Sequence, residues 1–328
     1  MGCCQRKIPI KLYRIPEKNR LTVEHGTDTI KTENRGGVVM EYEGQICRAP
    51  MERASYMLPV AVGCSYNACR FCMLFRHLRW RELPLEQVEE ELKRVHAAGG
   101  APKRVFLGDG NAFGLPTQRL LAILELVHRY FPSVEGINMD ATVTNISEKS
   151  NRELEQLRRG GVDCLYLGIE SGLEDVLHFM NKDHTLEQAY TQIDRIQKLG
   201  YAYAAHIMTG ISGKGRAEEN ARGLAQFINR TKPRSITNFS LFLHRRAPLW
   251  KEVEAGRFAP ADEVENLREE RLLLSLLEVD DLKYDGFHDI IEVRIRGSLP
   301  RDRENMLAKL DKAIKERENL PPVYAFVE

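Results

Sequence analysis

The sequence predicts an α/β protein, a partial (βα)6 TIM-like barrel with an N-terminal extension and a C-terminal helical cap. Three observations predict it. From about residue 56 to 243 one pattern recurs: an apolar, β-branched run, then a turn rich in Gly, Asn and Asp, then an amphipathic stretch. Strands alternating with helices in this way form a parallel sheet with right-handed crossovers, because only that hand lays each helix back on a twisted sheet. The six units found fall short of the eight that close a complete barrel.

The predicted strands are Met57–Gly63, Arg104–Gly108, Gly136–Thr142, Asp163–Ile169, Ala202–Thr209 and Ile236–Leu243. Between them the apolar period predicts helices over Leu85–Ala98, Thr117–Tyr130, Asn151–Arg159, Leu186–Leu199 and Ala217–Asn229. Pro84 opens the first helix and Gly99-Gly100 close it, while Gly160-Gly161 and Gly200 end the third and fourth. Pro59 removes a ladder donor, so the first strand starts after it or lies at the barrel's open edge. Residues 1–55 are polar and Gly-punctuated and read as a wrapping extension, and residues 56–245 as the barrel. Residues 246–328 read as a cap, with helices over Leu249–Leu277 and Glu304–Lys315 joined through Asp285–Pro300.

Lys and Arg total 48 against 47 Asp and Glu, so the overall charge gives no electrostatic argument for a nucleic-acid partner and leaves only a local basic patch as a route to one. No apolar run has the length of a membrane span. The start, Met1-Gly2-Cys3-Cys4-Gln5-Arg6, lacks the apolar core of a signal peptide and has Arg6 where myristoylation wants Ser or Thr. The expected compartment is the cytoplasm, where seven cysteines, an odd number, read as metal ligands or buried thiols rather than disulfides.

Three of them fall within nine residues: Gly63-Cys64-Ser-Tyr-Asn-Ala-Cys69-Arg-Phe-Cys72. The segment follows a strand, where a βα loop builds the catalytic face of a barrel. Thiolates are soft ligands for iron–sulfur clusters or zinc. A structural zinc site takes four ligands and an electron-transfer cluster four cysteines, whereas the local count stops at three. One metal position is therefore open to another ligand. Core packing of the thiols is the plain alternative, and the polar Ser65, Tyr66, Asn67 and Arg70 around them argue against it. Zinc with a distant fourth ligand is the stronger alternative.

The loop resembles the cluster loop of the radical S-adenosylmethionine (SAM) superfamily, Cys-x3-Cys-x-aromatic-Cys, with Phe71 in the aromatic place and one extra residue in the first gap. The longer spacing resembles a branch in which Gly-Cys-Ser/Thr-x-Asn-x-Cys-x-Phe-Cys recurs. Tyr42-Glu43-Gly44 through Arg48–Glu52 looks like its upstream signature. Phe106–Gly110, Tyr166–Gly172 and Gly297–Pro300 look like downstream blocks, so the likeness runs from about residue 40 to 318.

That resemblance implies a [4Fe–4S] cluster on Cys64, Cys69 and Cys72, with its unique iron chelated by SAM. It further implies reductive cleavage of SAM to a 5′-deoxyadenosyl radical that takes hydrogen from a substrate, and an electron donor such as flavodoxin or ferredoxin. By position, Gly108, Asp109 and Gly110 would meet the methionyl ammonium, and Glu170 and Ser171 the SAM ribose and carboxylate. Gly210 would flank the adenine, with Phe71 near it, and Asp140 would reach ribose or substrate. Plain readings compete: an Asp-Gly turn at Asp109, a helix cap at Ser171, and a cap at Asn145.

His206 faces either the barrel interior or the helix layer. His244, Arg245 and Arg246, at the end of the sixth strand, are candidate anchors for an anion, and His288 is a candidate substrate-facing residue in the cap. Cys47 and Cys164 form no Cys-x-x-Cys pair, so one cluster is expected, with Cys164 as buried packing. The lack of an N-terminal Rossmann-like domain, of extra cluster cysteines with an RNA-binding tail, of a cysteine-rich C-terminal extension and of a further C-terminal domain weighs in turn against cobalamin-dependent, methylthiotransferase, peptide-maturing and porphyrinogen-oxidising relatives. It leaves a compact enzyme with an unidentified small substrate. An iron–sulfur redox or sensor protein and a zinc-binding module are the competing classes. Anaerobic reconstitution separates them: a brown, iron- and sulfide-loaded protein is expected, and a colourless zinc protein would end the iron reading.

Overall fold

The computed structural model describes residues 29–32, 40–43 and 47–327. Cys3, Cys4, Gly44 and most of the expected extension lie outside the described residues. Eight strands form one sheet: β1 (Tyr56–Pro59), β2 (Arg104–Gly108), β3 (Gly136–Ala141), β4 (Val162–Glu170), β5 (Ala202–Thr209), β6 (Ser235–Ser240), β7 (Leu282–His288) and β8 (Val293–Leu299). They lie side by side in chain order, parallel from β1 to β7, with β8 antiparallel at the far edge. The sheet is the curved wall of a partial barrel. Helices α1 (Leu85–Ala97), α2 (Thr117–Tyr130), α3 (Asn151–Arg159), α4 (Leu186–Lys198) and α5 (Ala217–Thr231) fill the crossovers, as the period predicts. Pro59 sits on the edge strand, where β1 pairs only with β2 and a missing donor is tolerated.

Alternation along the strands divides the sheet into two faces. Val105, Leu107, Ile137, Met139, Leu165 and Leu167 turn outward under the helices and are fully buried. Each such side chain contributes about 1.5–3 kcal/mol on burial. The opposite, inward face carries Phe106, Asn138, Tyr166 and Ala204, and the segment Ala49–Glu52 packs into it. Caps end several helices cleanly: Ser150 Oγ accepts from the Glu153 N–H at 3.3 Å, and Thr185 Oγ1 from the Gln188 N–H at 3.2 Å.

The stretch after Arg245 is helical as expected, and it also extends the sheet. The helix expected over Leu249–Leu277 is two, Pro248–Glu254 and α6 (Glu263–Leu276), separated at Gly256 and Pro260. The connection expected at Asp285–Pro300 is the β7–β8 hairpin, followed by α7 (Arg303–Arg317). The boundary expected at residue 245 thus falls inside the sheet. Lys283, Asp285 and Gly286 hide β7 as a strand, yet Gly286 leaves room for the buried Glu270 carboxyl, which a Cβ there would meet at 1.9 Å and displace. Among the described residues no helix is long and apolar enough to cross a membrane.

His288 ends β7 fully buried on the helix side of the sheet. Its Nδ1 stands 2.9 Å from Glu263 and its Nε2 2.9 Å from Glu270, both on α6. Burial opposes the imidazolium, but Glu270 and Glu263 more than offset it and push the pKa up to about 10. Both ring nitrogens are committed to α6, so the structure gives this histidine a bracing role rather than a substrate-facing one. A raised folded pKa contributes stability that is full below the unfolded value of about 6.5 and is lost as pH rises through about 10. The melting temperature is expected to fall more steeply over that window in the wild type than in His288→Gln, measured by thermal denaturation at stepped pH.

Candidate active site

The cysteine loop grows from the C-terminal end of β1. Residues 61–62 pair antiparallel with residues 81–82, so the chain between them closes on itself. Inside, the Arg76 guanidinium donates to the carbonyls of Cys72 at 3.1 Å and Cys69 at 2.6 Å, and Asn67 Nδ2 donates to Phe75 O at 2.9 Å. From outside, Tyr66 OH donates to Asn181 O at 2.7 Å and the Arg70 N–H to Met180 O at 2.9 Å.

The second strand end seats this loop. Asn111 Oδ1 accepts from the Ser65 N–H and Asn111 Nδ2 donates to Ser65 Oγ, both at 2.8 Å. Asn111 Nδ2 also reaches Asn145 Oδ1 at 2.7 Å, and Asn145 in turn completes a cap with Thr142. Gly110 has φ +65°, and a Cβ on it would lie 1.7 Å from Gly63 O. No larger residue fits there. The Gly-Asp-Gly-Asn block is therefore the seat of the cysteine loop as well as a strand-end turn.

Cys64, Cys69 and Cys72 are free, half-buried thiols. Burial pushes Cys69 up to about 11 and raises Cys72 as well. Facing them is Lys182, a residue the sequence reading missed. Its Nζ lies 3.5 Å from Glu170 Oε1 and 3.7 Å from Asp183 Oδ1, and its side chain is 6% exposed. Burial works against this ammonium, but Cys69, Glu170 and Asp183 outweigh it and hold the charge firmly on. Asp183 accepts from the Thr144 N–H at 3.1 Å and pairs with His184 Nδ1 at 3.0 Å. The one sequence signal for this group is the charged run Lys182-Asp183-His184 between two helical stretches, which reads equally well as a solvated turn.

Glu170, in the left-handed region at φ +63°, is buried beside Lys182, and burial raises its carboxyl. Ser171 is fully buried and donates to Asn220 Oδ1 of α5 at 2.6 Å, while its Oγ accepts from the Leu173 N–H at 3.1 Å. Gly210 ends β5, with its N–H on Glu269 Oε2 at 2.9 Å. Phe71 and Met208 pack on the apolar cluster of Val176, Ile211 and Phe258. Asp109 is buried, which pushes it up to about 7 against a 3.4 Å hydrogen bond from the Cys47 N–H. Asp140, on the inward face, is pushed up to about 8 by burial and by the Asp109 and Glu52 charges. Cys47 shares this corner: burial, Asp140, Asp109 and Cys72 all raise its thiol.

The other candidates stand apart. The Arg246 N–H donates to His244 Nδ1 at 3.0 Å, and Arg245 lies over the Trp250 ring at 5.6 Å, so this trio is engaged within its own turn. Cys164 is buried in β4, as expected. His206 turns inward, its ring 5.6 Å from that of Tyr166.

A sequence profile of the radical SAM superfamily matches residues 58–225, just over half of the chain. The chain belongs to the radical SAM superfamily. It is 23% identical over 133 residues to the heme chaperone HemW of Bacillus subtilis, which covers 40% of this chain and 35% of that protein. It is 27% identical over 173 residues to the tRNA-2-methylthio-N(6)-dimethylallyladenosine synthase of Chlorobium phaeobacteroides, covering 51% and 38%. The chain thus spans little more than a third of the length of these curated relatives. Among solved structures, coproporphyrinogen III oxidase HemN of Escherichia coli superposes with a TM-score of 0.52 at 15% identity, over 67% of this chain and 52% of that one, and shows the same fold.

Radical SAM enzymes use a [4Fe–4S] cluster and SAM, and the residues here fit both. The donor set is three soft thiols on one braced loop beside a buried cation. Among the described residues no three Cys, His, Asp or Glu side chains converge on a single metal ion. Gly110→Ala is expected to unseat the loop, costing roughly 1–3 kcal/mol and most of the bound iron, read by denaturant unfolding and by iron and sulfide assay.

Proposed function

We propose that this chain is a radical SAM enzyme that uses Cys64, Cys69 and Cys72 to hold its cluster and acts on a substrate bound in the barrel lumen. When bound, cluster and SAM supply reductive cleavage of the sulfonium and a 5′-deoxyadenosyl radical. One observation carries the reading: three thiols at the mouth of a parallel barrel, seated by Gly110 and Asn111 and faced by the Lys182 ammonium.

In this reading the chain's own groups bind, orient and balance charge. Asp109 accepts hydrogen bonds from the methionyl ammonium, with the Gly108 and Gly110 backbone beside it. Lys182, held by Glu170 and Asp183, offsets thiolate charge and faces the methionyl carboxylate. Ser171 positions the Glu170 turn through Asn220 rather than touching ribose. Gly210 and Phe71 border the adenine. The apolar packing around Phe71 keeps water from the reacting centre. A flavodoxin- or ferredoxin-type protein supplies the electron, in a cytoplasmic setting where the thiols stay reduced.

Cys69→Ala is expected to lose both the cluster and 5′-deoxyadenosine formation from SAM under a strong reductant. A loaded wild-type protein that forms none would sink the proposal in favour of a redox protein. Lys182→Gln is expected to keep its iron while weakening SAM binding by roughly tenfold or more, measured by equilibrium binding of SAM to the loaded protein.

A further inference from the structure

The inward face of the sheet carries a band of groups that cofactor binding does not absorb. Strand register sets Asp140 beside Tyr166 and Ala204, then Gly168, His206, Thr237 and Asp285 in the next row, and Met208, Phe239 and Phe287 beyond. Glu170 and Lys182 fill the space beside Gly168, Ala204 packs under Ala49 and Tyr166, and the rings beyond form a wall. Tyr166 and His206 are 5.6 Å apart, His206 and Phe239 6.4 Å, and Phe239 stacks on Phe287 at 5.3 Å. Asp140, His206, Phe239 and Phe287 stay partly exposed along this wall, beyond the part of the inner face that Ala49–Glu52 covers.

Among the described residues, Asp140 has no Lys, Arg or His within ion-pair reach, and its charged neighbours are the acids Asp109 and Glu52. Two other lumen carboxyls, Glu52 and Asp285, are satisfied. Glu52 accepts from Asn138 at 2.8 Å and Tyr166 at 2.6 Å, and Asp285 is gripped by Arg294 at 2.8 and 2.6 Å. Independently, Thr237 is 1% exposed with no hydrogen-bond partner on Oγ1, and His206 Nε2 is buried without one. Burial, then the Lys182 charge, push His206 down to about 4, so the ring is neutral. Buried polar atoms without partners each cost about 1–3 kcal/mol, which a ligand supplying them recovers.

We infer that the lumen takes a substrate bearing a protonated amine on an apolar, ring-sized body, with Asp140 as its anchor and Thr237 and His206 as its polar contacts. A cation relieves the crowding of Asp140 against Asp109 and Glu52, whereas an anion would add to it. Apolar bulk suits the Tyr166 and Phe239 rings, while the Phe287 face already carries the Arg294 guanidinium at 4.4 Å. The inference rests on the lumen being the substrate chamber, as proposed above.

Isothermal titration of the cluster-loaded full chain, with and without SAM, compares phenethylamine, phenethyl alcohol and phenylacetate, three probes of one shape. The amine is expected to bind at least roughly tenfold more tightly than the other two, and Asp140→Asn, checked for folding by circular dichroism, to erase that preference. Equal binding of the alcohol or the acid, or no binding by any probe to the wild type, overturns the inference. So does an Asp140→Asn protein that loses SAM binding but keeps the amine preference. Amine selectivity in a protein that never cleaves SAM supports the lumen assignment while sinking the radical SAM activity. SAM cleavage without amine selectivity sinks this inference alone.

Discussion

Everything at the mouth of this barrel depends on one close approach, the Gly110 backbone against Gly63 O, locked by Asn111 on Ser65. The contact is possible only because Gly110 has no Cβ and a positive φ. It joins the end of β2 to the start of the cysteine loop, so three thiols on an otherwise irregular segment inherit the rigidity of the sheet. Asn145 carries the same constraint on to the end of β3. A site built on loops becomes precise when strand ends hold the loops.

Charge is arranged around that seat in two parts. Lys182 is a buried cation that stays charged because thiols and carboxylates surround it. On the inner face, Asp109 and Asp140 are acids without a cation among the described residues, and burial pushes both upward. The site therefore has a cationic rim near the thiols and an acidic floor. The β7–β8 hairpin closes the far side with its own Asp285–Arg294 pair, so its charge is balanced before any ligand arrives.

Local signals made much of this legible. The six strands read from apolar period return as β1 to β6 in order, and the first five helices agree within two residues at their ends. The three cysteines were readable because all of them fall on one loop. β7 and β8 were hidden because most of their inward residues are polar and Gly286 looks like a loop residue, although it gives the buried Glu270 carboxyl its room. Lys182 was hidden because its partners are Cys69 and Glu170, and the chain alone does not reveal that a run of ordinary charges will be buried beside a thiol loop far earlier in the sequence.

Sequence by itself determined the class of fold, the clustering of three cysteines on one loop and the family, because each is written in short-range pattern: period, spacing and glycine-bounded turns. Tertiary structure decided which face each polar group occupies. Adjacent Phe287 and His288 point to opposite sides of the sheet, one into the lumen and one onto α6. His206 turns inward to Tyr166, while its neighbour Ile207 packs under the helices. That parity follows from pleating and register, which long-range pairing sets. It is the reason the chemistry of the lumen could be read only after the strands were placed side by side.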